Sequence, residues 1–141
     1  MNGREPAIVL DALSYLPEPA RSKHAPQIKQ AQAFLESLQS GASGAPTDNT
    51  GKAVNKDHPW YGGWGYGQGS HSQPGRRPDL SNTHFVIEAL RDSGVPATDP
   101  SIQRAVVFLS RTQAYEGNTM GWAKGRTDGG FIYSMGWNAK H

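Results

Sequence analysis

The amino-acid sequence predicts an all-α fold made of two helical hairpins joined by a glycine- and aromatic-rich connection, and three observations carry that expectation. Residues 79–113 run through a helix start, a stop, a restart and a terminal glutamine in unbroken order. Residues 7–39 repeat this order, with prolines supplying the stop. The second helices of the two stretches then align with one another: QIKQAQAFLESLQ matches SIQRAVVFLSRTQ, pairing Ile28 with Ile102, Ala31 with Ala105, Phe34 with Phe108, Leu35 with Leu109 and Gln39 with Gln113. The chain contains an internal repeat.

The elements follow in order. Residues 7–16, AIVLDALSYL, are apolar on nearly all sides and end at Pro17 and Pro19, which reads as an inner helix enclosed by protein. A polar connection over residues 18–25 leads to Pro26, placed where a first helical position is expected. Residues 27–39 put Ile28, Ala31, Leu35 and Leu38 on one stripe and Lys29, Gln32 and Glu36 opposite, as an outer helix does. Residues 40–59 are rich in Gly, Ser, Pro, Asn and Asp and are expected to be the most disordered and insertion-tolerant part. A second mobile stretch is expected over residues 67–77.

Asp79, Ser81 and Asn82 can all accept hydrogen bonds from a first helical turn, so a helix starts near Ser81. Phe85, Val86, Ile87, Ala89 and Leu90 leave it almost no polar side, making it a second inner helix, and Gly94 with Val95-Pro96 ends it. Asp99-Pro100 restarts a helix whose stripe reads Ile102, Ala105, Val106 and Leu109. The organisation expected is a first hairpin over residues 1–39, a connection over 40–78, a second hairpin with its closure over 79–134, and an irregular tail over 135–141. Each outer helix ends in a glutamine and is followed by a Gly-aromatic pair: Gly63-Trp64 in the first copy, Gly121-Trp122 and Gly130-Phe131 in the second. GGWGYG at Gly62 and GGFIYS at Gly129 also correspond.

Composition bounds the function. A chain of 141 residues suffices for one domain with a modest core, and 17 glycines with 10 prolines fit helices separated by irregular loops. A net charge of +2, with basic residues scattered apart from Arg76-Arg77, argues against a nucleic-acid surface. The absence of cysteine removes disulfides and thiolate chemistry without choosing a compartment. No segment is apolar enough to span a bilayer, and the first residues lack the order of a secretion signal, so localisation is left open. The five histidines, His24, His58, His71, His84 and His141, form no pair at metal-binding spacing, so neither a metal nor a cofactor is expected. Arg76-Arg77 reads as a solvated loop rather than a diphosphate site, and the glycine-rich loop follows no strand, which removes a nucleotide reading.

Helical hairpins ending in Leu-x-x-x-Gln and closed by a Gly-aromatic turn resemble the QW repeats of the squalene and hopene cyclases, within the prenyltransferase and squalene-oxidase repeat group. Leu35 with Gln39 and Leu109 with Gln113 carry the likeness, with Trp64 and Trp122 as the aromatic close. It is strongest over residues 61–134 and extends to bacterial repeat proteins with PDLSNT and GGFIYS segments. The resemblance implies an α/α toroid of concentric inner and outer helices, of which this chain is a part. It is expected to be a fragment, since its inner faces need further hairpins, self-association or another protein to cover them.

The acid motif of the cyclases, Asp-x-Asp-Asp-Thr-Ala, falls on Asp79-Leu80-Ser81-Asn82-Thr83-His84, where Ser81 and Asn82 replace two aspartates. Protonating an alkene needs a carboxylic acid kept protonated in an apolar cavity. A lone carboxylate at a helix N-terminus is instead held by N–H donors, so Asp79 reads foremost as an N-cap. His84 is the other catalytic candidate, as a cavity-facing base, against a hydrogen-bonded core histidine. Trp60, Tyr61, Trp64, Tyr66 and Trp122 are candidates for binding an isoprenoid or other apolar ligand, weighed against repeat-closing residues packed on Gln39. Gln39, Gln113 and Phe131 are structural residues of the repeat. Three functions follow: a cyclase-like repeat protein binding an apolar ligand or a partner protein without acid catalysis; a truncated cyclase of the isomerase class; and carbohydrate binding through Trp60, Tyr61 and Trp64.

Overall fold

The computed structural model describes residues 4–44, 47–48, 50–66 and 77–135. They are all-α: α1 (Arg4–Ser14), α2 (Ala20–Lys23), α3 (Ala25–Ser37), α4 (Leu80–Asp92) and α5 (Pro100–Thr112), with a 3-10 turn at Gly121–Ala123. The described residues hold no strand, and two isolated bridges, Gly65 with Pro78 and Gln113 with Phe131, are their only β pairings. No described helix is long and apolar enough to cross a membrane.

The helix boundaries follow from local chemistry. Asp79, in extended backbone, caps α4 by accepting from Asn82 N. Asp99 caps α5 by accepting from Ser101 N at 2.8 Å and the Ser101 hydroxyl at 2.6 Å, with Pro100 following it. At the end of α4, Val95 N donates to Leu90 O and Gly94 N to Arg91 O, while Gly94 takes a φ of 105°, the left-handed closure its position foretold.

α1 and α4 pack side by side in parallel. Arg4 lies over the Phe85 ring near their starts, and the Tyr15 hydroxyl donates to Asp92 near their ends. α3 packs on α1 and α5 on α4. Ala7, Leu10, Ile28, Leu35, Trp64, Val86, Ala89, Leu90, Val95, Ile102 and Ala105 form the main core. Phe108, Ile132 and Met135 form a second, with Trp60, Leu80, Met120 and Trp122 against it. Close packing of α1 on α4 also brings acids together: Asp11 is pushed above the usual carboxylate range, chiefly by desolvation and then by Asp92 and Glu88.

Several expectations are corrected. The connection over residues 18–25 contains a helical turn, α2, because the Glu18 carboxylate accepts from Ser22 N and the Ser22 hydroxyl. The α5 stripe is rotated: Phe108 is fully buried and Val106 is 52% exposed, since the Gly62-Gly63 backbone approaches α5 on the Arg104–Phe108 side. α1 is not enclosed, for Ala7 and Leu10 are buried whereas Ile8 and Val9 are exposed.

Within residues 40–59, the described part is ordered by two anchors. The Asp48 carboxylate accepts from Thr50 N, the Thr50 hydroxyl and Lys52 N, and contacts His58 Nε2 at 3.2 Å. Arg111 of α5 donates to His58 O and Lys56 O, fastening the loop to the second hairpin. Met135, the first residue of the expected irregular tail, is buried in the second core, and its carbonyl accepts from the Trp60 indole. The second mobile stretch lies outside the described residues except for Arg77, as does the tail beyond Met135.

Candidate functional site

Three segments converge at the N-terminus of α4: residues 62–66, 78–83 and 130–135. Asp79 N donates to Trp64 O at 3.0 Å, and Leu80 N donates to Tyr133 O at 2.9 Å. The Thr83 hydroxyl accepts from Trp64 N at 3.0 Å, and the Ser134 hydroxyl donates to Pro78 O. The segments PDLSNT, GGWGY and GGFIYS, separate in sequence, thus form one structural unit.

Asp79 is 3% exposed. Its carboxylate accepts from Asn82 N at 2.9 Å, Asn82 Nδ2 at 2.7 Å and the Ser81 hydroxyl at 2.9 Å. Ser81 and Asn82, at the positions where the cyclase motif has aspartates, therefore serve as donors to Asp79. An aspartate at position 82 would have to share a proton with Asp79; the amide removes that need. Asn82 Oδ1 is buried with no hydrogen-bond partner among the described residues.

The Ser81 hydroxyl also meets the Tyr133 hydroxyl at 3.1 Å, and Tyr133 is hydrogen-bonded to Tyr66. The Ser81 contact favours the Tyr133 phenolate, but burial, Tyr66 and the Asp79 charge outweigh it and push the phenol above its ordinary value. Tyr133 is a neutral hydroxyl at physiological pH. It is half-exposed, as is Tyr66.

His84 neither faces a cavity nor lies in the core. Its side chain is 67% exposed and pairs with Glu88 one turn on, at 3.2 Å, which corrects both readings of it. The candidate aromatics separate by environment. Trp64 is 1% exposed and its indole donates to Leu35 O at 2.7 Å, at the end of α3, so the ring has no free face for a ligand. Trp60 is half-buried, edge-on to His58. Tyr61 is half-buried and crowds Gly41, where a Cβ would lie 2.4 Å from its ring. Trp122 donates to Arg111 O at 3.0 Å and carries Arg126 over its ring.

Each glutamine follows an outer helix and donates to the glycine turn beyond it. Gln39 is fully buried: Nε2 donates to Gly62 O at 2.9 Å and Ser101 O at 2.8 Å, and Oε1 accepts from Arg104 Nε at 2.7 Å. One side chain ties the end of α3, the glycine turn and the start of α5. Around it, Ser40 N donates to Gly63 O at 3.0 Å and Gly62 N to Ser40 O at 2.8 Å.

The second copy repeats three of these bonds. Ala114 N donates to Gly130 O at 2.7 Å, Gly129 N to Ala114 O at 2.9 Å, and Gln113 Nε2 to Gly129 O at 3.3 Å. Gly62 and Gly129 share a left-handed φ, 90° and 75°. Phe131 therefore holds the place of Trp64, and the backbone pattern selects Gly130-Phe131 over Gly121-Trp122 as the second closure. Phe131 is 53% exposed.

Sequence reasoning missed Thr83, Arg104, Tyr133 and Ser134. The alignment of GGWGYG with GGFIYS carried the signal for Tyr133, since it pairs Tyr66 with Tyr133; the acid-motif alignment matched Thr83 without giving it a role, and no local pattern announced Arg104 or Ser134. A separate open cleft of about 520 Å³ lies between α2, α3 and the 93–99 turn. Glu18, Arg21, Lys29, Glu36 and Asp99 line it, and burial, then Asp99, pushes the Glu36 carboxyl up. Ala25, Ile28, Val95 and Pro96 share the lining with these charged groups. No group of three or more His, Cys, Asp or Glu among the described residues is arranged to hold a metal ion. Comparison with protein-family models, curated proteins and solved structures finds no match.

Proposed function

We propose that this chain is a repeat scaffold, a segment of a terpene-cyclase-like α/α toroid that works by docking a helical partner and not by acid catalysis. The carrying observation is the state of Asp79. Its carboxylate is buried and engaged by three donors, all from Ser81 and Asn82, the residues that stand where the acid motif has aspartates. Such a group holds a helix end and three segments together, and its oxygens are occupied as hydrogen-bond acceptors, the arrangement of a cap and not of a proton donor. The parallel α1 and α4, each backed by its own outer helix and followed by the same closure, support the toroid arrangement.

The burial of Trp64, which withdraws an aromatic face that an isoprenoid or a glycan would use, favours a macromolecular partner. The test is turnover of squalene by the unaltered protein and by Asp79→Asn, a substitution that retains an N-capping side chain. No product from either is expected. Cyclised product from the unaltered protein that disappears in Asp79→Asn would overturn the scaffold reading in favour of an isomerase.

A further inference from the structure

The junction between the two hairpins has two halves, and the chain carries a second, uncovered example of each. The first half is the closure at Gln39, Gly62 and Trp64. α5 lies so close over it that a Cβ on Gly62 would fall 1.8 Å from Arg104 O. Its counterpart, at Gln113, Gly129 and Phe131, has the same backbone bonds, yet a Cβ on Gly129 would meet nothing within 4 Å. Gln39 is 0% exposed and Trp64 1%, whereas Gln113 is half-buried and Phe131 is 53% exposed.

The other half is the face that α4 and α5 present to that closure. Aligning Ile8-Val9-Leu10-Asp11-Ala12-Leu13 with Phe85-Val86-Ile87-Glu88-Ala89-Leu90 places Val9 at the position of Val86. The Tyr15–Asp92 bond follows the same register. Val86 is fully buried; Val9 is 55% exposed. On the outer helices, the pairing of Ile28 with Ile102 places Gln27 at Ser101 and Gln30 at Arg104, and both glutamines are exposed. Gln27 O can take the place of Ser101 O as acceptor for Gln113 Nε2. The Gln30 amide can take the place of Arg104 Nε as donor to Gln113 Oε1.

We infer that a second copy of this chain docks head-to-tail, its α1 and α3 covering the Gln113–Gly129–Phe131 closure as α4 and α5 cover Gln39–Gly62–Trp64. The occupant is specified by the chain itself: the uncovered closure and the uncovered helical face are the two complementary halves of a junction already present between its own hairpins. Because the surfaces differ, the contact is heterologous, and repeating the step closes a ring or extends a filament. The inference rests on the scaffold reading, and the two fail separately, since turnover tests one and mass the other.

The experiment is analytical ultracentrifugation of the chain alone from micromolar to near-millimolar concentration, with Val9→Asp and Phe131→Asp. Both substitutions are at exposed positions, and far-UV circular dichroism checks the fold. The unaltered chain should gain mass with concentration, and each variant alone should remain a monomer. Equimolar Val9→Asp and Phe131→Asp should form a two-chain species and stop there, because one contributes an intact closure and the other an intact helical face. If either Asp variant loses its helical signal, Gln30→Ala and Phe131→Ser give the same pairing. An unaltered chain that stays monomeric throughout overturns the inference and points to further hairpins or another protein as the cover. Association that survives either single variant, or a mixture that stays monomeric, overturns it as well.

Discussion

The closure after α3 and the closure after α5 share three hydrogen bonds and a left-handed glycine, but one is roofed by the next hairpin and the other is open. In the roofed closure every element has become obligatory. Gly62 touches the α5 backbone, Trp64 fills the core, and the Gln39 amide has all its bonds inside the protein. In the open closure the same residue types retain only their local bonds. The difference teaches that the repeat motif itself sets a backbone turn, and that burial by the following helices converts the turn into a stability determinant. Matched substitutions at equivalent positions separate the two contributions.

The largest difference is expected at the glycines. Gly62→Ala combines a strained left-handed φ with overlap on Arg104 O, and should cost about 4 kcal/mol or abolish cooperative unfolding in urea. Gly129→Ala carries the φ strain alone, about 1 kcal/mol. Equal losses would mean that α5 does not lie on Gly62. The aromatic pair comes next. Trp64→Ala should lower stability by about 3–5 kcal/mol, while Phe131→Ala stays within about 1 kcal/mol in the monomer.

At the glutamines, Gln39→Ala should cost about 2–3 kcal/mol, because Ser101 O, Gly62 O and Arg104 Nε lose a buried partner. Gln113→Ala should change the urea midpoint little, by about 0.5 kcal/mol or less. A cost at Gln113 as large as at Gln39 would show the second closure to be covered.

The smallest effect concerns the two loops and depends on pH. The Thr50 hydroxyl, against the opposing effect of burial and with help from Lys52 N, Thr50 N and His58, holds the Asp48 carboxyl far below the usual carboxylate range. In the second loop Gly130 N, then Arg126, lowers Asp128, but that side chain is 56% exposed. A depressed folded-state pKa gives stability that is present above the unfolded value of about 3.9 and is lost as pH falls toward the folded value. The stability gap between the unaltered chain and Asp48→Asn should therefore shrink as pH drops below about 4. The corresponding gap for Asp128→Asn should be small at every pH. A gap for Asp48→Asn that is constant with pH would contradict the assigned role.

Where a residue's role depends on its neighbours in sequence, it was legible without the structure. The caps Asp79 and Asp99, the stop at Gly94 and the α3 stripe all follow from contacts within one turn. The correspondence of Gln39 with Gln113 and of GGWGYG with GGFIYS was also visible. Long-range approaches were not. Val106 fits an apolar stripe as well as Phe108 does, and only the glycine turn against α5 decides which of them is buried.

The loop over residues 40–59 looked unstructured because its anchors, Asp48 to Thr50 and Arg111 to Lys56 and His58, are polar and partly remote. The catalytic reading of Asp79 could be weighed from the replacement of acids by Ser81 and Asn82, but the roles of those residues as donors needed coordinates. The apolar faces of α1 were read as enclosed because composition shows what can be buried and not whether a neighbour is present to bury it.

The most direct test of the central claim is native-state hydrogen exchange of four matched amides at low protein concentration: Ser40 and Gly62 against Ala114 and Gly129. If a covering hairpin is all that distinguishes the closures, Ser40 and Gly62 exchange only with global unfolding. Ala114 and Gly129 then exchange through local opening, about 100-fold faster or more. Equal protection of both pairs, or stronger protection of Ala114 and Gly129 in the dilute chain, would contradict the account.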